Sequence, residues 1–281
     1  MRLSIVTINY NNAVGLERTL NSVLTQTYGE IEHVIVDGAS TDNSVSVIKE
    51  YVQKVESGES RVKSLIWSSE PDKGIYNAIN KGIKKASGDY IQILNSGDLL
   101  AADNVIERMI AFLSEHNYPE LLYGNAVDVD NGVRVGSHGP GIEYSLRQLY
   151  GGTYPHDSTF FKRELFSESR YGLYDENLKI VSDWKWYLRA IGLGDVKPVY
   201  ADIDVTLFDV TGISSTNIEL DRQERQKVLK EVLPPAIYAD YEQYALPMSQ
   251  FKRLQRHHLW GLVHFIERVL FKMEKWGVMR K

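Results

Sequence analysis

The chain has 281 residues, 43% hydrophobic and 25% charged, and no cysteine. With 17 Tyr, 8 Phe and 5 Trp it is not a disordered chain, and disulfides, zinc–thiolate sites, iron–sulfur clusters and cysteine nucleophiles are excluded together. The formal net charge of −5 is uneven: residues 251–281 carry eight Lys/Arg against two Glu, a local +6 that leaves the other 250 residues at −11. An acidic body of this kind argues against nucleic acid as a partner.

The length suits one large α/β domain or two small ones. No basic-then-apolar leader precedes the first apolar run, and no stretch of about 18 uninterrupted apolar residues occurs, so neither a secretory signal nor a spanning helix is expected. A cysteine-free chain fits a reducing, cytoplasmic location.

Residues 3–8 form an apolar run of strand length, and Asn11 or Asn12 is placed to cap a helix bearing Leu16, Leu20, Val23 and Leu24 on one face. Residues 33–36 read as a second strand ending at Asp37. Thr41 or Asp42 then caps a helix with Val45, Ile48, Val52 and Val55 at helical spacing. Residues 62–67 are strand three, a helix runs through Ile75, Ile79, Ile83 and Ala86, and residues 90–94 are strand four. This alternation predicts a parallel sheet, whose ligands sit beyond the carboxyl ends of the strands where the strand order reverses. Thr7, Asn9 and Tyr10, then Asp37, then Glu70 and Asp72, then Asn95, Ser96 and Asp98 all fall at such ends.

From about Asp103 the pattern loosens. A helix is expected over 104–113, a strand over 121–129, a turn at Asn131-Gly132, a strand over 133–135 and a glycine-rich loop over 136–141. Gly151-Gly152 is a breaker, 183–191 is helical in pattern, 196–208 reads as strand, and from Asn217 only helices are indicated, interrupted at Pro234-Pro235.

Neither GxGxxG nor GxxxxGK[ST] is present, which removes the main support for dinucleotide dehydrogenases and P-loop enzymes. Asp37 is placed either to accept from a ribose or base, or to serve ordinary Asp-Gly turn chemistry. A carboxylate projecting from the Asn95-Ser96-Gly97-Asp98 turn suits Mg²⁺ or Mn²⁺, although a capped turn has the same appearance.

Four ordered blocks then coincide: LSIVTINYNN (3–12), IVDGASTDNS (35–44), SEPDKGIYNAINKG (69–82) and SGDYIQILNSGDLL (87–100). Together they resemble the nucleotide-sugar half of family 2 glycosyltransferases. The resemblance implies a GT-A fold: an α/β, Rossmann-like, mostly parallel central sheet flanked by helices, here with a C-terminal helical extension. It divides the chain into a nucleotide-sugar half (1–102), an acceptor half (103–216) and a helical extension (217–281).

By the same resemblance Thr7, Asn9 and Tyr10 line the nucleoside pocket and Asp37 holds the base or ribose. Asp72 and Lys73, before the helix with Asn77 and Asn80, flank the nucleotide and donor sugar. Ser96 and Asn95 belong to the donor site, and Asp98 matches the metal-binding last acid of the family's DxD motif. The first acid of that motif is Asn95 here, so one carboxylate and the diphosphate oxygens hold the Mn²⁺ or Mg²⁺. Asp183, with Ser182 in the position of the usual Glu, matches the catalytic base. His156 and the 212–215 segment (Gly-Ile-Ser-Ser) fall where the family places acceptor and diphosphate contacts.

The implied activity is an inverting transfer of one sugar from a nucleoside-diphosphate sugar to a saccharide acceptor, lipid-linked, in surface polysaccharide assembly. No Gln-x-x-Arg-Trp signature of processive synthases occurs. The competing readings are a non-catalytic nucleotide-sugar-binding scaffold of the same fold and a sugar nucleotidyltransferase; the basic triphosphate loop of the latter is missing after strand one. In the tail, Leu259, Leu262, Val263, Ile266, Leu270 and Met273 recur at helical spacing between Trp260 and Trp276. Such a basic amphipathic helix suits a membrane surface, or equally packing on the body or on a second subunit of a homodimer.

Overall fold

The computed structural model describes residues 1–58, 60–130, 132–210, 217–244 and 260–275. Strands β1 (Leu3–Asn9) and β2 (Ile31–Asp37) are buried at every position. Strands covered on both faces lose the polar alternation and read as apolar runs. The helix α1 (Ala13–Leu24) starts at Asn12, whose side chain accepts from the Gly15 amide at 3.1 Å. For α2 (Ser44–Glu56) the cap differs from expectation, since Asn43 occupies the capping position without a side-chain bond. Asp42, one residue further out, accepts from Ser44 N at 3.0 Å and from Ala13 N at 2.9 Å, tying the starts of both helices together. Thr41 is instead held by Asn11, whose side-chain oxygen accepts from its amide at 2.8 Å.

β3 (Val62–Ser69), α3 (Ile75–Lys85) and β4 (Tyr90–Ile93) complete the first half. β1 pairs in parallel with β2 on one side and β4 on the other. The chain therefore runs outward from β1 to β3 and returns across β1 to β4, which makes the β1/β4 boundary a topological switch point. Gly82 lets α3 lie close on β1: a Cβ there would meet Val6 Cγ1 at 2.3 Å.

The second half contains β5 (Leu99–Leu100), α4 (Val105–Glu115), β6 (Leu121–Asp130), β7 (Val133–His138), α5 (Leu146–Gly151), β8 (Thr159–Lys162), α6 (Ser182–Tyr187) and β9 (Pro198–Asp209). The sheet order is β3-β2-β1-β4-β8-β6-β9-β5, with β7 beside β6. β8 runs antiparallel between β4 and β6, while β6 and β9 are parallel. Neither β5 nor β8 was legible in the sequence, because runs of two and four residues are too short to show a period. β7 reaches His138, so Gly136 lies in a strand and not in the expected loop; Asn131 of the expected turn lies outside the described residues. After Tyr187 the helix carrying residue 183 widens into a π turn over Leu188–Gly192.

The main core joins β1, β4, β6 and β9 to α4 through residues such as Ile5, Leu94, Met109, Phe160 and Val205. A smaller cluster packs Leu16 and Leu20 against Ile35, Ile48 and Tyr51. The chain divides into two compact units, 1–225 and 226–281. Beyond β9 the described elements are helices: α7 (Ile218–Val232), residues 235–244, and α8 (Trp260–Lys275). Among the described residues no helix is long and apolar enough to cross a membrane.

Candidate active site

A cleft of about 1050 Å³ opens over the switch point, walled by Asn9, Tyr10 and Asn12 after β1, Gly38 and Ala39 after β2, Pro71, Asp72, Gly74 and Ile75 before α3, and residues 95–98 after β4. Its loops are fastened to one another by side chains. Asn12 Nδ2 donates to the Ser96 carbonyl at 3.1 Å. Thr19 of α1 donates to the Asp98 carbonyl at 2.7 Å and accepts from Gly97 N at 2.9 Å. Gly97 has φ +112°, so the turn that presents Asp98 favours glycine at that position.

Asp37 anchors the second loop. Its carboxylate is fully buried and accepts from Asn9 Nδ2 (2.8 Å), Ser40 Oγ (2.6 Å), Ser40 N (3.0 Å) and Ser69 Oγ (2.6 Å). Burial alone would raise its pKa, but the bonds from Ser40, Ser69 and Asn9 outweigh it and hold the carboxyl below its ordinary range. Asp72, in the cleft wall, accepts from Lys81 Nζ at 2.7 Å, and Lys81 also bridges to Glu70 at 3.2 Å. Tyr10 stands 68% exposed at the mouth.

Asp98 is 5% exposed, and its Oδ1 accepts from Asp209 N at 3.1 Å. Burial, and then the nearby charges of Asp157 and Asp209, push its carboxyl well above the usual carboxylate range. Burial likewise raises Asp157, against the pull of a hydrogen bond from Thr206 at 2.5 Å. Beside them Asn95 Oδ1 is buried with no partner among the described residues. Oxygen donors that repel one another and resist ionisation are matched to a hard divalent cation. Among the described residues no three His, Asp or Glu side chains converge at ligand spacing.

A second cleft of about 370 Å³ adjoins the first, sharing Ile75, Asn95 and Phe208 with it. Asp183, in the first turn of α6, lines this cleft with His156, Tyr154, Lys179 and Arg225. Two side chains from distant parts of the chain hold the segment that carries Asp183. Tyr76, near the start of α3, donates its hydroxyl to Asp183 Oδ1 at 2.7 Å and also to the Ile180 carbonyl. Glu224 of α7, 8% exposed, accepts from the amides of Lys179 (2.8 Å), Ile180 (3.0 Å) and Val181 (3.3 Å). The neighbouring Arg225 stacks on Trp184 with its guanidinium 4.5 Å from the ring centre. His156 Nε2 pairs with Tyr174 OH at 2.8 Å, and burial lowers its pKa below the ordinary histidine value.

The clefts thus gather Asn9, Tyr10, Asp72, Asn95, Ser96, Asp98, His156 and Asp183. Others among the expected site residues lie elsewhere. Thr7 is fully buried two residues short of the β1 terminus, bonded to His33 Nε2 at 3.0 Å, and His33 Nδ1 in turn meets Tyr51 OH of α2 at 2.7 Å. Asn77 and Asn80 face the 174–176 loop, donating to Glu176 at 2.8 and 2.9 Å. Lys73 is exposed, and its amide donates to Asn77 Oδ1 at 3.1 Å. The 212–215 segment lies outside the described residues. Tyr76, Glu224, Asn12, Thr19 and Lys81 were not anticipated. Only Asn12 had a local signal, as a helix cap.

Comparison with known proteins agrees with this geometry. An uncharacterised glycosyltransferase of Mycobacterium tuberculosis is 36% identical over 217 residues, 76% of this chain and 77% of the relative. The minor teichoic acid biosynthesis protein GgaB of Bacillus subtilis is 29% identical over 65% of this chain, which spans a fifth (20%) of that longer protein. Among solved structures, the mannosyltransferase PcManGT of Pyrobaculum calidifontis, in complex with GDP-Man and Mn²⁺, superposes over 99% of this chain and 83% of its own with a TM-score of 0.62 at 17% identity, a likeness of GT-A fold. The sequence model of glycosyl transferase family 2 matches residues 4–168, more than half of the chain. The chain belongs to glycosyltransferase family 2.

Proposed function

We propose that the protein transfers a single sugar from a nucleoside-diphosphate sugar to a saccharide hydroxyl with inversion. The observation that carries the reading is the adjoining pair of clefts, one holding Asp98 at the sheet's switch point and the other holding Asp183, joined at Asn95. In this reading the first hundred or so residues seat the donor and residues 103–216 the acceptor, with Tyr10 offering a ring face to the base. Asp37, saturated by its own loop, orders the pocket from below. Asp183 takes the acceptor proton as the hydroxyl attacks the anomeric carbon from the face opposite the diphosphate. Asp98 would hold a divalent cation, whose chemistry there would be countercharge for the leaving diphosphate. Mn²⁺ with GDP-Man in the mannosyltransferase supports both the donor class and the metal.

A lipid-linked acceptor in surface-glycan assembly is the class we favour, supported by the relative named for teichoic acid biosynthesis. The basic C-terminal segment would then lie on the membrane that carries the acceptor. On α8, Phe265, Ile266, Val269 and Leu270 are 40–64% exposed along one arc. Leu259 and Trp276, which the expected stripe included, lie outside the described residues.

Thermal unfolding with UDP, GDP, dTDP or CMP, each with Mn²⁺, Mg²⁺ or EDTA, tests the donor reading. A ligand at a hundredfold excess over Kd adds about 2.7 kcal/mol of stability, enough for a clear shift. We expect one nucleoside diphosphate to shift the wild type in a metal-dependent way, and Asp98→Asn to lose the metal-dependent part. No shift with any nucleotide would favour the scaffold reading.

A further inference from the structure

Proton transfer to Asp183 requires that its carboxylate be aimed. The side chain lies at the edge of a cleft, in the first turn of a six-residue helix, and short helices are poor anchors by themselves. Tyr76 reaches it from the other half of the fold, 107 residues away in sequence. The ring is 5% exposed, and its hydroxyl has two acceptors, Asp183 Oδ1 at 2.7 Å and the Ile180 carbonyl. A phenol has one proton to give.

We infer that Tyr76 is a positioning residue for Asp183, holding Oδ1 so that the other carboxylate oxygen is left to receive the acceptor proton. The inference rests on the reading of Asp183 as the base. As the acceptor O–H bond breaks, its electron pair forms the new bond to the anomeric carbon and the bond to the diphosphate oxygen breaks. The proton passes to the free oxygen of Asp183. Once that carboxyl is neutral its pull on the phenol weakens, and the Tyr76 proton turns to the Ile180 carbonyl, which is already within reach. Burial and the charge of Asp183 keep the phenol protonated, well above its ordinary range.

The placement also links the two substrates. Gly74 and Ile75 wall the donor cleft and Tyr76 follows them directly. A donor seated against the start of α3 therefore steadies the residue that aims the base.

The contact has a signature that packing alone does not produce. A hydrogen bond polarises the carboxylate oxygen that accepts it, so removing it displaces the carbon-13 resonance of the Asp183 carboxyl. The other groups facing that carboxylate are unchanged by the substitution: His156 before β8, Tyr174, Tyr187 of α6, and Lys179 and Arg225 on the same cleft. The test is carbon-13 NMR of the Asp Cγ resonances in the full unliganded chain, with Asp183 assigned by its loss in Asp183→Asn. We expect Tyr76→Phe to displace the Asp183 Cγ resonance while the other Asp resonances hold, and to lower kcat more than it raises KM; an unmoved resonance or an unchanged kcat in the folded variant overturns the inference. If Tyr76→Phe does not fold, a ring-fluorinated tyrosine at position 76, a stronger donor of the same shape, replaces it. That change should displace the same resonance in the opposite direction, and no movement again overturns the inference. The base reading fails separately, if Asp183→Asn retains sugar transfer.

Discussion

Glu224 offers the sharpest test of how the second cleft is built. It lies outside the span matched by the family model, on α7, and it carries the three amides that precede α6. Replacing it with Ala leaves those donors without an acceptor. Lys179 is exposed and recovers water, but Ile180 and Val181 are buried, and an unpaired buried amide costs about 1–3 kcal/mol. The Val181 bond is long at 3.3 Å and counts for less. The sum is about 3 kcal/mol, or a change of about a hundredfold in the opening equilibrium of this segment. Glu224→Gln keeps one acceptor oxygen but turns an NH₂ toward an amide, so its loss should fall between wild type and Ala. Urea unfolding measures the total, and hydrogen exchange at Ile180 and Val181 locates it. A loss below about 1 kcal/mol in Glu224→Ala, with protection at both amides intact, would refute the idea that this carboxylate holds the Asp183 segment.

Acid stability should report on His33. Burial takes its pKa from the ordinary 6.5 to about 3, so below pH 6.5 the unfolded chain binds a proton that the folded one refuses. Stability then falls as pH drops from 6.5 toward 3, by up to about 5 kcal/mol from this group. In His33→Gln that part of the pH dependence should vanish; parallel urea-stability curves for both proteins between pH 7 and 4 would show the reasoning to be wrong. The C-terminal segment predicts co-sedimentation of the full chain with anionic vesicles and its loss at high salt. Equal binding to neutral vesicles, or none to either, would count against the membrane reading.

The first half of the fold was legible because each of its signals is local. Buried parallel strands show as apolar runs, α1 and α3 carry their core residues at helical spacing, and polar residues gather where those runs end. The NSGD turn and the tyrosine at its opposite wall could be placed at a cleft for that reason. Where strand register or packing decides, the sequence was silent. Thr7 and Asn9 share one face of β1, yet Thr7 is covered by the His33–Tyr51 pair while Asn9 reaches the cleft at the strand end. Asn77 and Asn80 follow the loop before α3 but are committed to Glu176 and Tyr174, about a hundred residues on.

What the sequence by itself determined is therefore the alternating strands and helices of the first half and the chemistry offered at the strand ends. The tertiary structure alone decided which side chains meet there. β8, four residues long, inserts antiparallel between β4 and β6, and Tyr76 and Glu224 converge on the segment of Asp183 from 107 residues before it and more than 40 after. Periodicity encodes which face of an element is buried; it carries no record of the partner against which that face, or a single hydroxyl on it, comes to rest.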